Sequence, residues 1–342
     1  MRIFCPLAAN VATSKNATTR ARMAIWESKG TYGAATNEHT HGLFSLHFVL
    51  VWLSMMHRRI LALLLCTTTV VTSKPGITQH DSSWIASHCA LINGQRWTEK
   101  PFPVLYVLVA QLFVGQPYRA GTLDTELHER CRFTSEGFDC VTLVESALAL
   151  AQSVALGQCS YNQFMHQLER IRYRRGILDG YLSRLHYTSE WIADNVAKGI
   201  VRDVTRQLEG KFVRKRLNFM STHAELYPQL RDSSVLIGKL RTIERRLSRQ
   251  PMAIIPLERL ASALGGIQSG DIVAIATTKP GLDYAHLGIA LRSGGKLSLI
   301  HASSKSGKVT LEPSLEEYVR SYPSAAGISV VRPLTPVERA SR

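Results

Sequence analysis

Two periodicities divide the chain. Before residue 250, apolar positions recur at intervals of three and four; after Gly270 they fall in short runs rich in Val, Ile and Leu. The clearest helical stretch is Phe138–Val154, where Val141, Val144, Leu148 and Ala151 share one face and Asp139 stands where an N-cap belongs. Ser160–Arg172 follows with Phe164, Leu168 and Ile171 in register, then a short helix from Ser189 and a basic amphipathic helix over Asp232–Arg249. Residues 76–118, with Trp84, Trp97 and the apolar run Val104–Val114, read as a helical or mixed segment. The strand runs are Asp271–Thr277, His286–Arg292, Lys296–His301, Lys308–Leu311 and Gly327–Arg332, interrupted by a short helix at Ser314–Ser321. Helices first and an antiparallel sheet afterwards define an α+β class. The pattern divides into 76–119 as an N-terminal segment, 120–335 as the main domain with an insert at about 160–250, and 336–342 as a tail.

The first 75 residues read differently. Basic Arg58 and Arg59 precede a short apolar stretch, Ile60–Val71, and then Thr72 and Ser73, which is the order of a secretory signal. The stretch is shorter than the roughly 20 residues of a spanning helix. Residues 55–75 are therefore expected to be a signal peptide, with translation starting at Met55 or Met56 and residues 1–54 an upstream extension. A membrane anchor using this run and Leu43–Met56 is the alternative. Leu65 before Cys66 does not suit lipoprotein cleavage.

Composition narrows the class. With 342 residues, 45% hydrophobic and 20% charged, the chain is globular rather than disordered or multi-spanning. Six cysteines without a CxxC pair exclude a disulfide scaffold and argue against a cysteine-rich zinc site. Export would let some of Cys89, Cys131 and Cys159 pair, although spacing does not say which. The net charge is +15, with eight Lys/Arg against two acids in residues 1–75 and 33 against 24 in the rest. Basic clusters lie at Arg170–Arg175, Lys211–Arg216 and Arg241–Arg249. Without interleaved aromatics they do not read as a nucleic-acid motif; solvated helix faces or an anionic substrate or envelope surface remain.

Candidate chemistry starts at Cys140. A cysteine at a helix N-terminus meets unpaired N–H groups and the positive end of the helix dipole, which favour thiolate; a buried structural cysteine is the competing explanation. The second element is a hairpin. Gly294-Gly295 suits a two-residue turn, which makes Ser293 face Lys296 and His301 face Gly288. His286 and His301 then become diagonal neighbours on one face, within roughly 8 Å. Gly288 is expected to leave room beside His301, and a loop longer by one residue would separate the histidines. A thiol nucleophile needs a base, and the base needs a partner that holds its ring. Metal binding by the two histidines would want a third ligand, for which Asp283 is nearest, but no standard zinc spacing occurs.

Phe138-Asp139-Cys140-Val141-Thr142-Leu143-Val144-Glu145, Gly270-Asp271-Ile272-Val273, His286-Leu287-Gly288-Ile289-Ala290 and His301-Ala302-Ser303, in that order, resemble the NlpC/P60 cysteine peptidase superfamily. The insert, with Ile171–Arg174, Ser183–Tyr187, Trp191-Ile192 and Asn218–Ser221, resembles its DUF1460 group, the N-acetylmuramoyl-L-alanine amidase-like family. The resemblance covers roughly residues 120–333. It implies a papain-like α+β fold, with Cys140 as nucleophile, His286 as general base and His301 as the orienting third residue. It implies a muropeptide substrate cut between the lactyl group of muramic acid and L-alanine, no metal or organic cofactor, and no nucleic-acid partner. Arg184, His186, Tyr187, Trp191, Asn218, Ser221 and Asp283 become candidate substrate-binding residues, Arg184 as the partner of a substrate carboxylate. Packing of the insert onto the core would explain the same aromatics. Rival functions are a γ-D-glutamyl-diamino acid endopeptidase of the same superfamily, a non-catalytic wall-binding protein and an acyltransferase. The expected location is the periplasm of a Gram-negative bacterium, with the membrane touched only by the N-terminal segment.

Overall fold

A computed structural model describes residues 79–337. The expected signal segment and extension, and the last residues of the tail, lie outside them. Among the described residues no helix is long and apolar enough to cross a membrane. The principal helices are α1 (Gln79–Gly94), α2 (Phe102–Gln111), α3 (Cys140–Ala155), α4 (Tyr161–Arg172), α5 (Thr188–Ala197), α6 (Ser234–Arg249) and α7 (Leu315–Ser321). The strands are β1 (Val201–Asp203), β2 (Lys211–Val213), β3 (Met252–Pro256), β4 (Ile272–Thr277), β5 (Tyr284–Ser293), β6 (Lys296–Ser303), β7 (Lys308–Glu312) and β8 (Ala325–Pro333). They form one antiparallel sheet in the order β2-β3-β8-β4-β5-β6-β7, with β1 also paired to β8.

Helix α3 is the central element. It packs on α2, α4, β5 and β6, and nearly every residue in it is buried, including Glu145, Ser146, Gln152 and Ser153. The one-sided pattern expected from sequence is thus enclosed on all sides. Small alanines and serines permit this, because they let neighbouring elements approach closely without a bulky polar face to solvate. Its start is a capping box: the Asp139 carboxylate accepts from the N–H groups of Val141 (3.0 Å) and Thr142 (2.8 Å), and Thr142 Oγ1 accepts from Asp139 N–H.

The hairpin forms as its turn chemistry requires. Gly294 and Gly295 both have positive φ (56° and 79°), which a type I′ turn needs, and Ser293 pairs with Lys296 and Ile289 with Ile300. Pairing of β5 with β6 stops there, so Ser303 pairs with Lys308 of β7 and not with His286. Beyond it, β5 carries a bulge at Ala285 against the Ile275–Ala276 step of β4. A bulge bends the strand and re-aims the neighbouring side chain, here His286.

Two features depart from the sequence expectation. Strands β1, β2 and β3 precede Gly270, so the sheet does not begin after the helices; they are only three to five residues long and get their partners from β8 and from one another. The insert thus contributes to the sheet. Residues of α1 and α2 share one apolar cluster with α3 and the inner face of β4–β6, so the core runs across residue 119. Of the three cysteines among which pairing was expected, Cys89 of α1 is bonded to Cys159, just ahead of α4, while Cys131 stays a thiol.

Candidate active site

Cys140 is the first residue of α3, is almost fully buried, and packs in the cluster that includes Leu287 and Ile289 of β5. Around the head of this helix lies a small cavity. Asp139 and Val141, the neighbours of Cys140, line it, as does Leu287, the neighbour of His286. Arg184, His186 and Trp191 form part of its wall.

His286 and His301 meet directly. His286 Nε2 lies 2.9 Å from His301 Nδ1, with the rings at 82°. Among the described residues, His286 Nδ1 and His301 Nε2 are buried and meet no hydrogen-bond partner. When His286 carries protons on both nitrogens its Nε2–H is the donor, and His301 Nδ1 accepts. Burial, and then the His286 charge, push the His301 pKa down from 6.5 to about 3. His301 therefore stays neutral around pH 7 and can accept this bond without adding a second positive charge. Gly288 does not leave open space beside it: a Cβ there would meet the Leu299 side chain at 2.7 Å. Its missing side chain admits Leu299.

Sequence reasoning missed the tyrosines that enclose this pair. Tyr322 stacks on His286 (centroids 5.5 Å apart), Tyr318 packs on His301 (4.5 Å), and the Tyr318 hydroxyl is 3.4 Å from His301 Nδ1. Tyr322 donates to the carbonyl of Ala285 at the bulge. Their i, i+4 spacing at α7 was the available signal, since it puts both rings on one helix face.

The candidate substrate residues separate into two groups. Arg184, His186 and Trp191 line the cavity, but each is also tied into the protein. Arg184 is buried against the carboxylates of Asp124 and Glu129, which share its charge inside the protein. Trp191 Nε1 donates to Glu145, whose other oxygen takes the buried Arg172 guanidinium at 2.6 Å. The His186 ring lies 2.9 Å from the Tyr181 carbonyl, and burial, helped by Arg184, holds its pKa well below the usual histidine range. The second group knits the insert together. The Tyr187 hydroxyl donates to Glu244 at 2.7 Å, the Ser221 N–H donates to the same oxygen, and the Asn218 carbonyl accepts from Thr222. None of Tyr187, Asn218 and Ser221 lines this cavity. Asp283 accepts from the N–H groups of Ser189 and Tyr284, holding the start of α5. Among the described residues no group of three or more ligating side chains is placed to hold a metal ion.

A scan against family models matches residues 108–328 to the AmiA-like family, described as N-acetylmuramoyl-L-alanine amidase-like. The comparison with curated proteins found no match. Among solved structures, an N-acetylmuramoyl-L-alanine amidase from Bacteroides uniformis is 36% identical, with 68% of this chain and 99% of that chain aligned at a TM-score of 0.65. A Bacteroides fragilis protein carrying a xylanase designation is 39% identical over 66% of this chain and 99% of its own, at 0.63. A Legionella pneumophila protein of family DUF1460, 22% identical over 74% of this chain and 94% of its own at 0.59, shares the fold. The chain belongs to the AmiA-like, N-acetylmuramoyl-L-alanine amidase-like family.

Proposed function

We propose that this protein is a cysteine-dependent amidase that hydrolyses peptidoglycan fragments at the bond between the muramic acid lactyl group and L-alanine. The observation that carries the reading is the 2.9 Å contact between His286 and His301, which makes one imidazole the base and the other its holder. Family membership supports the substrate class. A cysteine heading the central helix, packed on the sheet that carries both histidines, supports an NlpC/P60, papain-like assignment.

In this scheme His286 Nδ1, the nitrogen not engaged by His301, takes the thiol proton. The Cys140 sulfur attacks the scissile carbonyl, and the backbone N–H at the helix start steadies the oxyanion. His286 returns the proton to the leaving amine of L-alanine, the C–N bond breaks and a thioester remains. Water, deprotonated by the same ring, attacks the thioester, and the thiol leaves with a proton from His286. The steps draw on side chains, a backbone N–H and water.

A glycosidase needs two carboxyl groups flanking the bond. In this cavity Asp139 is engaged in the helix cap, and Glu145 in Arg172 and Trp191, which favours the amidase. Export to an oxidising compartment, the periplasm of a Gram-negative cell, is part of the same proposal; the Cys89–Cys159 bond supports it.

The test is mass spectrometry of defined muropeptides after incubation with the protein. Release of free stem peptide starting at L-alanine is the expected product. Cleavage only after γ-D-glutamate would replace this reading with the endopeptidase, and intact substrate would end it.

A further inference from the structure

Leu315 and Val319 of α7 are buried in the apolar cluster that holds Ile275, Ala290 and Leu299 of the sheet. Tyr318, in the same helix, and Tyr322, its C-cap, stay half-buried and meet the two histidines. Tyr322 makes two distinct contacts. Its ring lies 5.5 Å from that of His286, with the planes 27° apart. Its hydroxyl donates to the carbonyl of Ala285, 3.3 Å away, the bulged residue directly before His286. One side chain therefore touches both the imidazole and the backbone kink that aims it.

Packing alone accounts for a large ring at this place, and leucine or phenylalanine would supply it; only tyrosine reaches the Ala285 carbonyl. Nor does packing account for the turn that follows. Ser324 holds φ at 65°, a left-handed conformation that costs a serine energy and persists only where its surroundings hold it. The Ser324 hydroxyl lies 2.9 Å from that of Thr277 at the end of β4, and its carbonyl accepts from the N–H of Thr278 at 2.8 Å. The chain leaving Tyr322 is thus fastened to β4, the strand against which β5 bulges. The stack also has a charge sense. In the scheme above His286 becomes an imidazolium as it takes the thiol proton, and a cation within about 6 Å of an aromatic face is attracted to it. That contact is stronger in the charged state than in the resting one, which is the condition for raising kcat.

We propose that Tyr322 is a positioning residue for the base: its ring holds the His286 imidazole and steadies its charged form, and its hydroxyl fixes the bulge that keeps Nε2 on His301. The role of His286 as base rests on the function proposed above; the holding of its ring does not. Tyr322 acts through His286 and not on the substrate, so its loss is felt in kcat and not in KM.

Three variants separate positioning from packing. Tyr322→Leu removes ring and hydroxyl, Tyr322→Phe removes the hydroxyl alone, and Val319→Ala loosens the same helix on its apolar side. Each is assayed on a soluble muropeptide and melted by calorimetry. The ring nitrogens of His286 are followed by 15N NMR in mildly alkaline buffer, in a Cys140→Ala background where no thiolate can charge the ring. Tyr322→Leu should lose at least about tenfold in kcat, as a displaced catalytic group does, with KM within about twofold. Tyr322→Phe should fall between it and the parent, and Val319→Ala should lower Tm while keeping kcat. The two His286 nitrogens should stay well separated with tyrosine and draw together with leucine, as one tautomer gives way to a mixture. A kcat for Tyr322→Leu within about twofold of the parent, an equal kcat loss in Val319→Ala, or spectra unchanged by Tyr322→Leu overturns the proposal. If the parent cleaves no muropeptide, the amidase reading falls and the spectra alone decide: merging upholds the positioning role and unchanged resonances overturn it.

Discussion

His286 and His301 lie on adjacent strands of one hairpin and share a hydrogen bond of 2.9 Å between Nε2 and Nδ1, with Tyr322 stacked on the first ring and Tyr318 packed on the second. The bond commits Nε2 of His286 and leaves Nδ1 outside it.

Replacing Cys140 with alanine tests the nucleophile. Turnover should fall at least about 10³-fold, as for loss of a covalent nucleophile, with a thermal transition within a few degrees of the parent. Retained activity removes the cysteine mechanism.

Thiol labelling separates Cys131 from Cys140, the cysteines outside the disulfide among the described residues. Burial pushes the Cys131 thiol up to about 12, so it is expected to resist iodoacetamide at pH 7. Cys140 should react faster than an ordinary thiol, and peptide mapping locates the adduct. Labelling at Cys131 instead would contradict this assignment.

The depressed pKa of His301 predicts acid sensitivity. Its folded value, about 3, lies below the ordinary 6.5, so the unfolded chain binds this proton more tightly. Stability from this group is complete above about pH 6.5 and is lost as pH falls towards 3. Burial acts in the opposite sense on Asp124, Glu129 and Asp283, whose carboxyls it pushes up, so the comparison must be with a variant. His301→Asn should lose Tm less steeply than the parent between pH 6.5 and 4; parallel curves would refute the assignment.

Cys89 and Cys159 are 70 positions apart. Closing a loop of that length is worth about 4 kcal/mol in the chain-entropy account. The Cys159→Ser variant should therefore melt roughly 10 °C lower. Calorimetry with and without reductant measures it, and reductant should not affect the variant.

Glu145 and Arg172 form a fully buried ion pair beneath the cavity. Arg172→Met strands a carboxylate and should cost about 3–5 kcal/mol, whereas Glu145→Met/Arg172→Met should recover much of that loss. Urea denaturation of the two variants decides it.

Much of the site was legible because its signals are local. Asp139, Cys140 and Thr142 encode a helix start within four residues. Gly294-Gly295 sets the hairpin register, which carries two histidines fifteen positions apart toward one face, and the bulge at Ala285 completes the aim of His286. Strands β1 to β3 gave no comparable signal, since three to five residues carry too little periodicity to stand out from a loop.

The sequence by itself determined the α+β class, the capped helix with cysteine at its head, and the meeting of the two imidazoles. Only the tertiary structure decided that Arg184 faces Asp124 and Glu129, that Tyr187 and Ser221 serve Glu244, that Cys89 chooses Cys159, and that Leu299 fills the space at Gly288. The first set follows from backbone hydrogen bonding and side-chain period, which act over a few residues. The second follows from burial, which makes each polar group find whichever partner the packing brings, from any distance along the chain.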